Sequence, residues 1–501
     1  MGLKFLPLHV WDREFDSRLI LALTLANEGN SVLIGNEHNI RPMLGKSKYQ
    51  FLLRSGFACN GDRHIWDKDV ANAHGTVVLH DEEGVNNMHL ELQKVNSIKN
   101  LKLSKCGSGW GLTGKFRNDA SEGIVNSCTQ LAWSKIHREF MINSLENERA
   151  RRKAEERILV SSSIRFDMLG SFGKRLNSER IAATKELFGK FVLVLDNFSA
   201  ETVLNRRGEP TMADGLRYMG YKEEDIKKET RKHLQDIDSE RKARDEFATI
   251  IIRMAMQNPS TIFVMRPHPV MDPSYWKNKM SKVSNIIVIG GGNVQPWIYS
   301  ACLTIHSGCT TGLEAIASNT NTVDISKMIP NRIPIISEAL VSHGNKRTKN
   351  DQELHELIKE YSSSSLVAQD DTEDDLRQEF SGKDLAYQKV AKIFEQNAML
   401  VQEKINNGLD IDNMDHIYGG TSALSKAIHF GARYSGIEYN DMDILKYALN
   451  KQPLRKSRHV SLGEVAKRTK IFIKVLKEYG VNLHSVELRK ISSNLFLIQR
   501  S

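Results

Sequence analysis

Short apolar runs recur along the first two thirds of the chain, each closed by a polar cluster and followed by a segment with helical spacing. Runs of about four to eight apolar residues between turn signals read as strands buried on both faces, and their alternation with amphipathic helices predicts parallel sheets covered by helices. Lys4 to Val10 reads as the first strand, with Trp11 to Phe15 in the loop after it. Asp16 or Ser17 is placed to cap a helix that carries Leu19, Ile20, Leu23 and Ala26 on one face and ends at Asn27, before Gly29. With the next strand, Ser31 to Ile34, this makes a βαβ unit. The pattern then predicts helix over 41–54, strand over 75–79, a long helical stretch over 121–156 and strand over 158–160.

Gly170 to Asn177 reads as a linker, after which the alternation resumes. The expected order is helix 178–188, strand 191–195, a polar irregular insertion over 200–235, helix 239–256, and strands over 262–265, 285–289 and 303–305, with helical character from Leu313 to Ser318. Beyond Asp324 the alternation fades into an acidic surface loop around 370–375, a helix over 376–406 and a basic helical region from about 407. The expectation is an α/β protein with Rossmann-like domains over 1–172 and 173–400 and a helical basic extension over 401–501.

Composition narrows the partners. The chain has 501 residues, a formal charge of +9 and an isoelectric point near 9.1, which points to an acidic partner without choosing among nucleotide, nucleic acid and anionic lipid. No nucleic-acid-binding motif is present, so nucleic acid is not expected. The five cysteines form no CxxC pair, which argues against a zinc site or a disulfide framework and for a reducing compartment. No apolar run reaches the roughly 18 residues of a membrane span, and a cytoplasmic protein, peripheral at most, is expected. In the extension, Leu462, Val465, Ile471, Phe472, Val475 and Leu476 sit among Lys467, Arg468, Lys470, Lys474 and Lys477. Such a helix suits an anionic membrane and suits equally a dock on its own domain.

The candidate chemistry lies at strand ends. The strand over 262–265 delivers Arg266, His268 and Pro269, and the strand over 303–305 runs into His306, Ser307, Gly308, Cys309, Thr310, Thr311 and Gly312. Small residues, hydroxyls and a following helix suit a phosphate, and Arg266 with His268 adds positive charge. Each half also has a plainer reading, as a rigid strand exit and as a capped turn into a helix. A second cluster, His80, Asp81, Glu82, Glu83 and Gly84, crowds carboxylates at a strand end, which raises at least one toward the range of a general base. A solvated acidic turn reads the same way. Residues 105–120, with Trp110 and Phe116 among Lys105, Lys115 and Arg117, suit a loop over a sugar or an exposed connection, and Gly290 to Gly292 reads as a turn.

Glu82-Glu83-Gly84, His268-Pro269 and the Ser307 to Thr311 loop resemble the D/E-D/E-G, HP and Ser/Thr motifs of bacterial sialyltransferases and polysialyltransferases, GT-B enzymes that use CMP-activated sugars. The opening WDREFDSRLILALTLANEGNSVLIG, the SIRFD segment and the RPHP and HSGCTTGLEA pair are similar to bacterial surface-carbohydrate (capsule and lipopolysaccharide) biosynthesis proteins related to transferases of Kdo and other ulosonic acids. The resemblance covers about residues 1–330; Ser163 and Ile164 stand where related chains tend to have Gly and Pro, and the tail has no counterpart. It implies a GT-B fold and transfer of an ulosonic or nonulosonic acid from a CMP donor to a glycan or lipid-linked glycan acceptor at the inner face of the membrane, with no cofactor and no metal. It implies Glu83 as the base that deprotonates the acceptor, with Glu82 or Asp81 supporting it, and His268 as a phosphate contact assisting departure of CMP. Arg266, Pro269, Ser307, Gly308, Thr310 and Thr311 would hold the phosphate, and Glu314 would accept from ribose or cytidine hydroxyls. The rivals are a CDP-glycerol-type glycerophosphotransferase, a nucleotide-sugar 2-epimerase and a non-catalytic sugar-nucleotide-binding scaffold of polysaccharide assembly.

Overall fold

The apolar runs pair into two sheets. The structure, a computed structural model, describes residues 3–8, 11–36, 50–53, 77–81, 128–133, 148–198, 222–268, 271–330, 346–363, 385–398, 460–492 and 494–500, with positions 40, 135, 138, 139, 142 and 213 besides. The first sheet is built from β1 (Leu3–Leu8), β2 (Ser31–Asn36), β3 (Gln50–Leu53), β4 (Val77–Asp81), β5 (Cys128–Ala132) and β6 (Ile158–Val160). These strands are parallel in the order 2-1-3-4-5-6, with Phe5 beside Leu33 on one side and Phe51 on the other. The second sheet comprises β7 (Phe191–Leu195), β8 (Ile262–Arg266), β9 (Ile286–Val288), β10 (Leu303–His306), β11 (Thr322–Asp324) and β12 (Lys346–Arg347). All its pairs are parallel and the order is 9-8-7-10-11-12, the doubly wound arrangement in which the chain reverses direction between β7 and β10. Every residue of β7 is buried, as expected of a strand covered on both faces.

Two Rossmann-like α/β bodies with parallel sheets are therefore present, the arrangement of the GT-B class, and several segments differ from the sequence-based expectation. Helix α1 (Trp11–Asn27) starts directly after β1, so Asp16 and Ser17 lie inside it rather than capping it, and the Ser17 hydroxyl donates to the Glu14 carbonyl at 2.8 Å. Residues 50–53 and 128–132, expected to be helical, are strands. Short apolar runs fit either state, and pairing with β1 and with β4 decides these two. Helix α2 (Glu148–Arg157) carries the charge-dense segment ahead of β6.

The expected linker is ordered structure. Helix α3 (Ile164–Asp167), capped by the Ser163 hydroxyl, leads through Leu169 into α4 (Gly170–Leu176) and α5 (Ser178–Phe188). The expected insertion over 200–235 ends earlier than the sequence suggested, because α6 runs unbroken from Glu223 to Gln257. Its front half is too polar to signal a buried helix, yet Ile226 and Ile237 are both buried. Helices α7 (Ser274–Lys279), α8 (Gln295–Ser300), α9 (Thr310–Ala317) and α10 (Asp351–Ser363) complete the second body, whose alternation persists past Asp324 through β12.

The chain then returns to the first body. Helix α11 (Ala386–Ala398), expected in the second domain, places Tyr387, Val390 and Phe394 in the core formed by α1, β1 and β2. Helix α12 (Leu462–Glu478) adds Val465, Phe472 and Leu476 to the same core. The extension is thus helical over α12 but closes with a hairpin, β13 (Val486–Ser492) and β14 (Leu495–Arg500), whose second strand pairs antiparallel with β2. The apolar run Leu495 to Ile498 is buried throughout, as in a strand covered on both faces. No helix among the described residues is long and apolar enough to cross a membrane.

Candidate functional site

Ligands of doubly wound sheets bind beyond the carboxyl ends of the strands where the winding reverses. In the second sheet that point lies between β7 and β10, and the residues leaving those strands are Asp196, Asn197, Ser307 and Gly308. Asn197 holds Ser307 at two points: its Oδ1 accepts from the Ser307 hydroxyl at 2.5 Å and its Nδ2 donates to the Ser307 carbonyl at 3.4 Å. The carbonyl can only accept, so the amide orientation is fixed by the bond itself, and the Ser307 proton is committed to Asn197.

Asp196 ties the same strand end to its other neighbour. Its Oδ1 accepts from the Phe198 amide at 2.6 Å, and its Oδ2 accepts from the indole of Trp276 at 2.7 Å and from the main-chain amide of His268 at 3.3 Å. Burial pushes the Asp196 carboxyl up to about 7 against these donors and the Arg244 cation. Arg244 stacks on Tyr275 at 3.6 Å, and the Tyr275 hydroxyl donates to Asp245 at 2.5 Å. His268 itself is half-buried, and its carbonyl accepts from the Met271 amide at 2.8 Å.

The loop after β10 is shaped around His306. The buried ring accepts the Gly308 amide on Nδ1 at 2.9 Å, which places the proton of the neutral ring on Nε2. Gly308 itself has φ of 82°, a left-handed conformation that suits glycine. Cys309, extended at the N-cap of α9, is buried, and burial pushes its thiol up to about 11.

Arg266 leaves β8 toward the first body. It is only 6% exposed, donates from Nη2 to the Gly292 carbonyl at 3.0 Å and lies 5.1 Å from the ring of Trp297. Its Nη1 has no hydrogen-bond partner among the described residues, and burial lowers the guanidinium to about 10, partly offset by Asp12. Gly291 and Gly292, with φ of 76° and 71°, form the expected turn, and this turn meets the start of α1. The Gly292 amide donates to Asp12 at 3.3 Å and the Asn293 side chain to Asp16 at 3.3 Å, so the turn after β9 is bonded directly to the first turns of α1.

The structure brings together Arg266, the His268 main chain, Ser307 and Gly308, all around β7, β8 and β10. Thr310 opens α9 and Thr311 is half-buried in its first turn. Glu314 is buried and paired with Arg165 of the SIRFD segment, a bond between the two bodies that is flanked by Trp133, Phe166 and Leu169 on one side and Leu313 and Ile316 on the other. Glu82, Glu83 and Pro269 lie outside the described residues; β4 ends at Asp81, immediately before the two glutamates. Among the described residues no group of three or more His, Cys, Asp or Glu side chains could hold a metal ion. Asp16 was given only the role of a helix cap in the sequence, and Asp12, Asp196 and Asn197 were given none. The signal for the last two was their place directly after the apolar run of β7.

No protein-family model matches the chain, and no curated protein matches it. Solved structures of similar shape include UDP-GlcNAc 2-epimerase from Neisseria meningitidis bound to UDP-GlcNAc, at 11% identity and a TM-score of 0.40, covering 79% of this chain and 99% of that one. The wall teichoic acid polymerase TagF is similar at 9% identity and a TM-score of 0.45, covering 80% and 90%. UDP-N-acetylglucosamine 2-epimerase from Rickettsia bellii is similar at 10% identity and a TM-score of 0.45, covering 80% and 98%. At such identities and scores these likenesses carry no argument about activity.

Proposed function

We propose that the chain is a glycosyltransferase that moves a sugar, an ulosonic acid such as Kdo or a nonulosonic acid, from a CMP-activated donor to a surface glycan acceptor. The observation that supports this reading most is that the Ser307–Gly308 loop and the His268 turn are both held by the end of β7 at the reversal, with Arg266, whose buried Nη1 has no hydrogen-bond partner among the described residues, at the end of the adjacent β8. A nucleotide phosphate is the ligand such a point suits, since an unpartnered buried guanidinium nitrogen gains most from an anion. His268 would contact the phosphate and assist departure of CMP, Arg266 and the start of α9 would take up the charge that develops on it, and Glu83 would take the acceptor's proton. With one phosphate in the leaving group, protein cations suffice in this scheme and no metal is required. The acceptor lies on the first body, and closing the two bodies would exclude water from the donor.

Calorimetric titration with CMP, UDP, GDP and CDP in parallel tests the reading. Selective binding of CMP, lost in His268→Ala, is the expected result. Preference for CDP would replace it with glycerophosphate transfer and preference for UDP with epimerase or ordinary glycosyltransferase chemistry. Binding of none would leave a scaffold.

A further inference from the structure

We infer that Asp196 and Asn197 are positioning residues, a two-headed brace that fixes the two loops of the phosphate site to each other through the end of β7. The assignment rests on the proposed nucleotide site for its purpose but not for its geometry. The two side chains are consecutive at the end of β7, where the Asp196 carboxylate accepting the Phe198 amide turns the chain, and each reaches a different neighbour. On the β8 side Asp196 meets the His268 amide, and the Trp276 indole besides; on the β10 side Asn197 meets both polar groups of Ser307. β7, between β8 and β10, is the element both loops share.

The hydrogen-bond chemistry says what each head does. Because the Ser307 hydroxyl donates to Asn197, Ser307 is an acceptor toward anything beyond it and does not donate to a phosphate in this arrangement. Its contribution is to hold the main chain that leads into α9, whose Gly308 amide is itself committed to His306, and Asn197 sets that position. Asp196 does the same for the His268 turn by accepting its amide, while Trp276 and the Phe198 amide hold the carboxylate still. A displacement of about 1 Å in such a site is enough to lose much of its binding or catalytic advantage.

Two measurements on the full chain test the brace. Hydrogen exchange reads it without any nucleotide: Asn197→Ala should speed exchange over 303–312 by about tenfold or more and leave 262–268 unchanged, and Asp196→Asn should do the reverse. Calorimetry with CMP and with cytidine reads its purpose. Asn197→Ala should weaken CMP about tenfold and cytidine less than twofold, and the Asn197→Ala, Ser307→Ala double variant should bind CMP no more weakly than Asn197→Ala alone, because the pair acts as one unit. Exchange that is unaltered in both variants overturns the brace, as does an equal loss of CMP and cytidine binding. If exchange responds as expected while the wild type binds no nucleotide, the brace stands and the functional reading fails.

Discussion

A methyl group on Gly312 would lie 2.4 Å from Cε1 and 2.5 Å from Nε2 of His306, a ring that is fully buried and held by the Gly308 amide. Alanine is favoured over glycine in a helix by about 1 kcal/mol, but the ring has nowhere to go, and overpacking of this kind costs about 1–3 kcal/mol. Gly312→Ala should therefore lower the urea midpoint. Gly463, near the start of α12, is the control: its nearest neighbour to an added methyl is the Ser461 hydroxyl at 3.8 Å, so Gly463→Ala should leave stability level or raise it by up to about 1 kcal/mol. A Gly312→Ala protein as stable as wild type would refute the packing argument. The sequence makes the run from Ser307 to Gly312 legible as a place where small residues allow close approach. It cannot show that Gly312 is small for the sake of His306, because that contact closes only when α9 folds back on β10.

At the level of elements, a buried ion pair joins the C-terminal segment to α1. Arg468 of α12 donates Nε and Nη2 to the two oxygens of Asp16 at 2.8 and 2.5 Å, Nη1 to the Leu176 carbonyl at 2.9 Å, and Nη2 to Asn177 at 3.2 Å. Burial alone would raise the Asp16 carboxyl, but the charge and hydrogen bonds of Arg468, with Arg180 and Asn293, hold it below the usual carboxylate range. Arg468→Ala strands a buried carboxylate and should cost about 3–5 kcal/mol of stability; Arg468→Lys should recover only part, since an ammonium cannot fill the planar fork. Asp16 is held ionised, so the contribution of the pair is complete above about pH 4 and is lost as pH falls through the lowered folded-state value. The gap between wild type and Arg468→Ala, followed by denaturant melts, should narrow in acid. Equal stability of the three proteins at neutral pH would remove the ion pair from the fold's supports. The amphipathic spacing of α12 was legible in the sequence, and its two possible docks were not separable there: burial of Val465, Phe472 and Leu476 in the first body's core shows the dock on its own domain. The hairpin beyond it was missed because the apolar run Leu495 to Ile498 is short and fits either state, and pairing with β2 decides it. Gly35 shows how tightly it seats, for a methyl there would lie 2.3 Å from the Asn494 carbonyl.

For the molecule as a whole, the alternation of strand and helix specified parallel sheets, but strand order and the return of the chain to the first body depend on contacts far apart in sequence. Asp167 is one such contact. Both its oxygens cap α11, accepting the Ala386 amide at 2.9 Å and the Tyr387 amide at 2.7 Å across more than two hundred residues. In the sequence it was only the last letter of a short motif. Burial pushes its carboxyl up to about 7, more than the two amides and Lys389 bring it down. The folded state thus binds a proton that the unfolded chain, with an ordinary carboxyl near 3.8, has already released. Between about pH 4 and 7 the folded state holds more protons, so the contribution of Asp167 is full below the unfolded value and is lost as pH rises toward 7. Asn is a good cap and does not titrate. Wild type should accordingly lose stability relative to Asp167→Asn as pH is raised from 5 to 8, by roughly 1–3 kcal/mol given about 1.4 kcal/mol for each pH unit of unequal protonation. Denaturant melts of both proteins at intervals across that range provide the check. A difference that is flat, or that grows in favour of wild type toward pH 8, would mean the carboxylate stays ionised in its cap and that the two amides, rather than burial, govern the return of the chain to its first sheet.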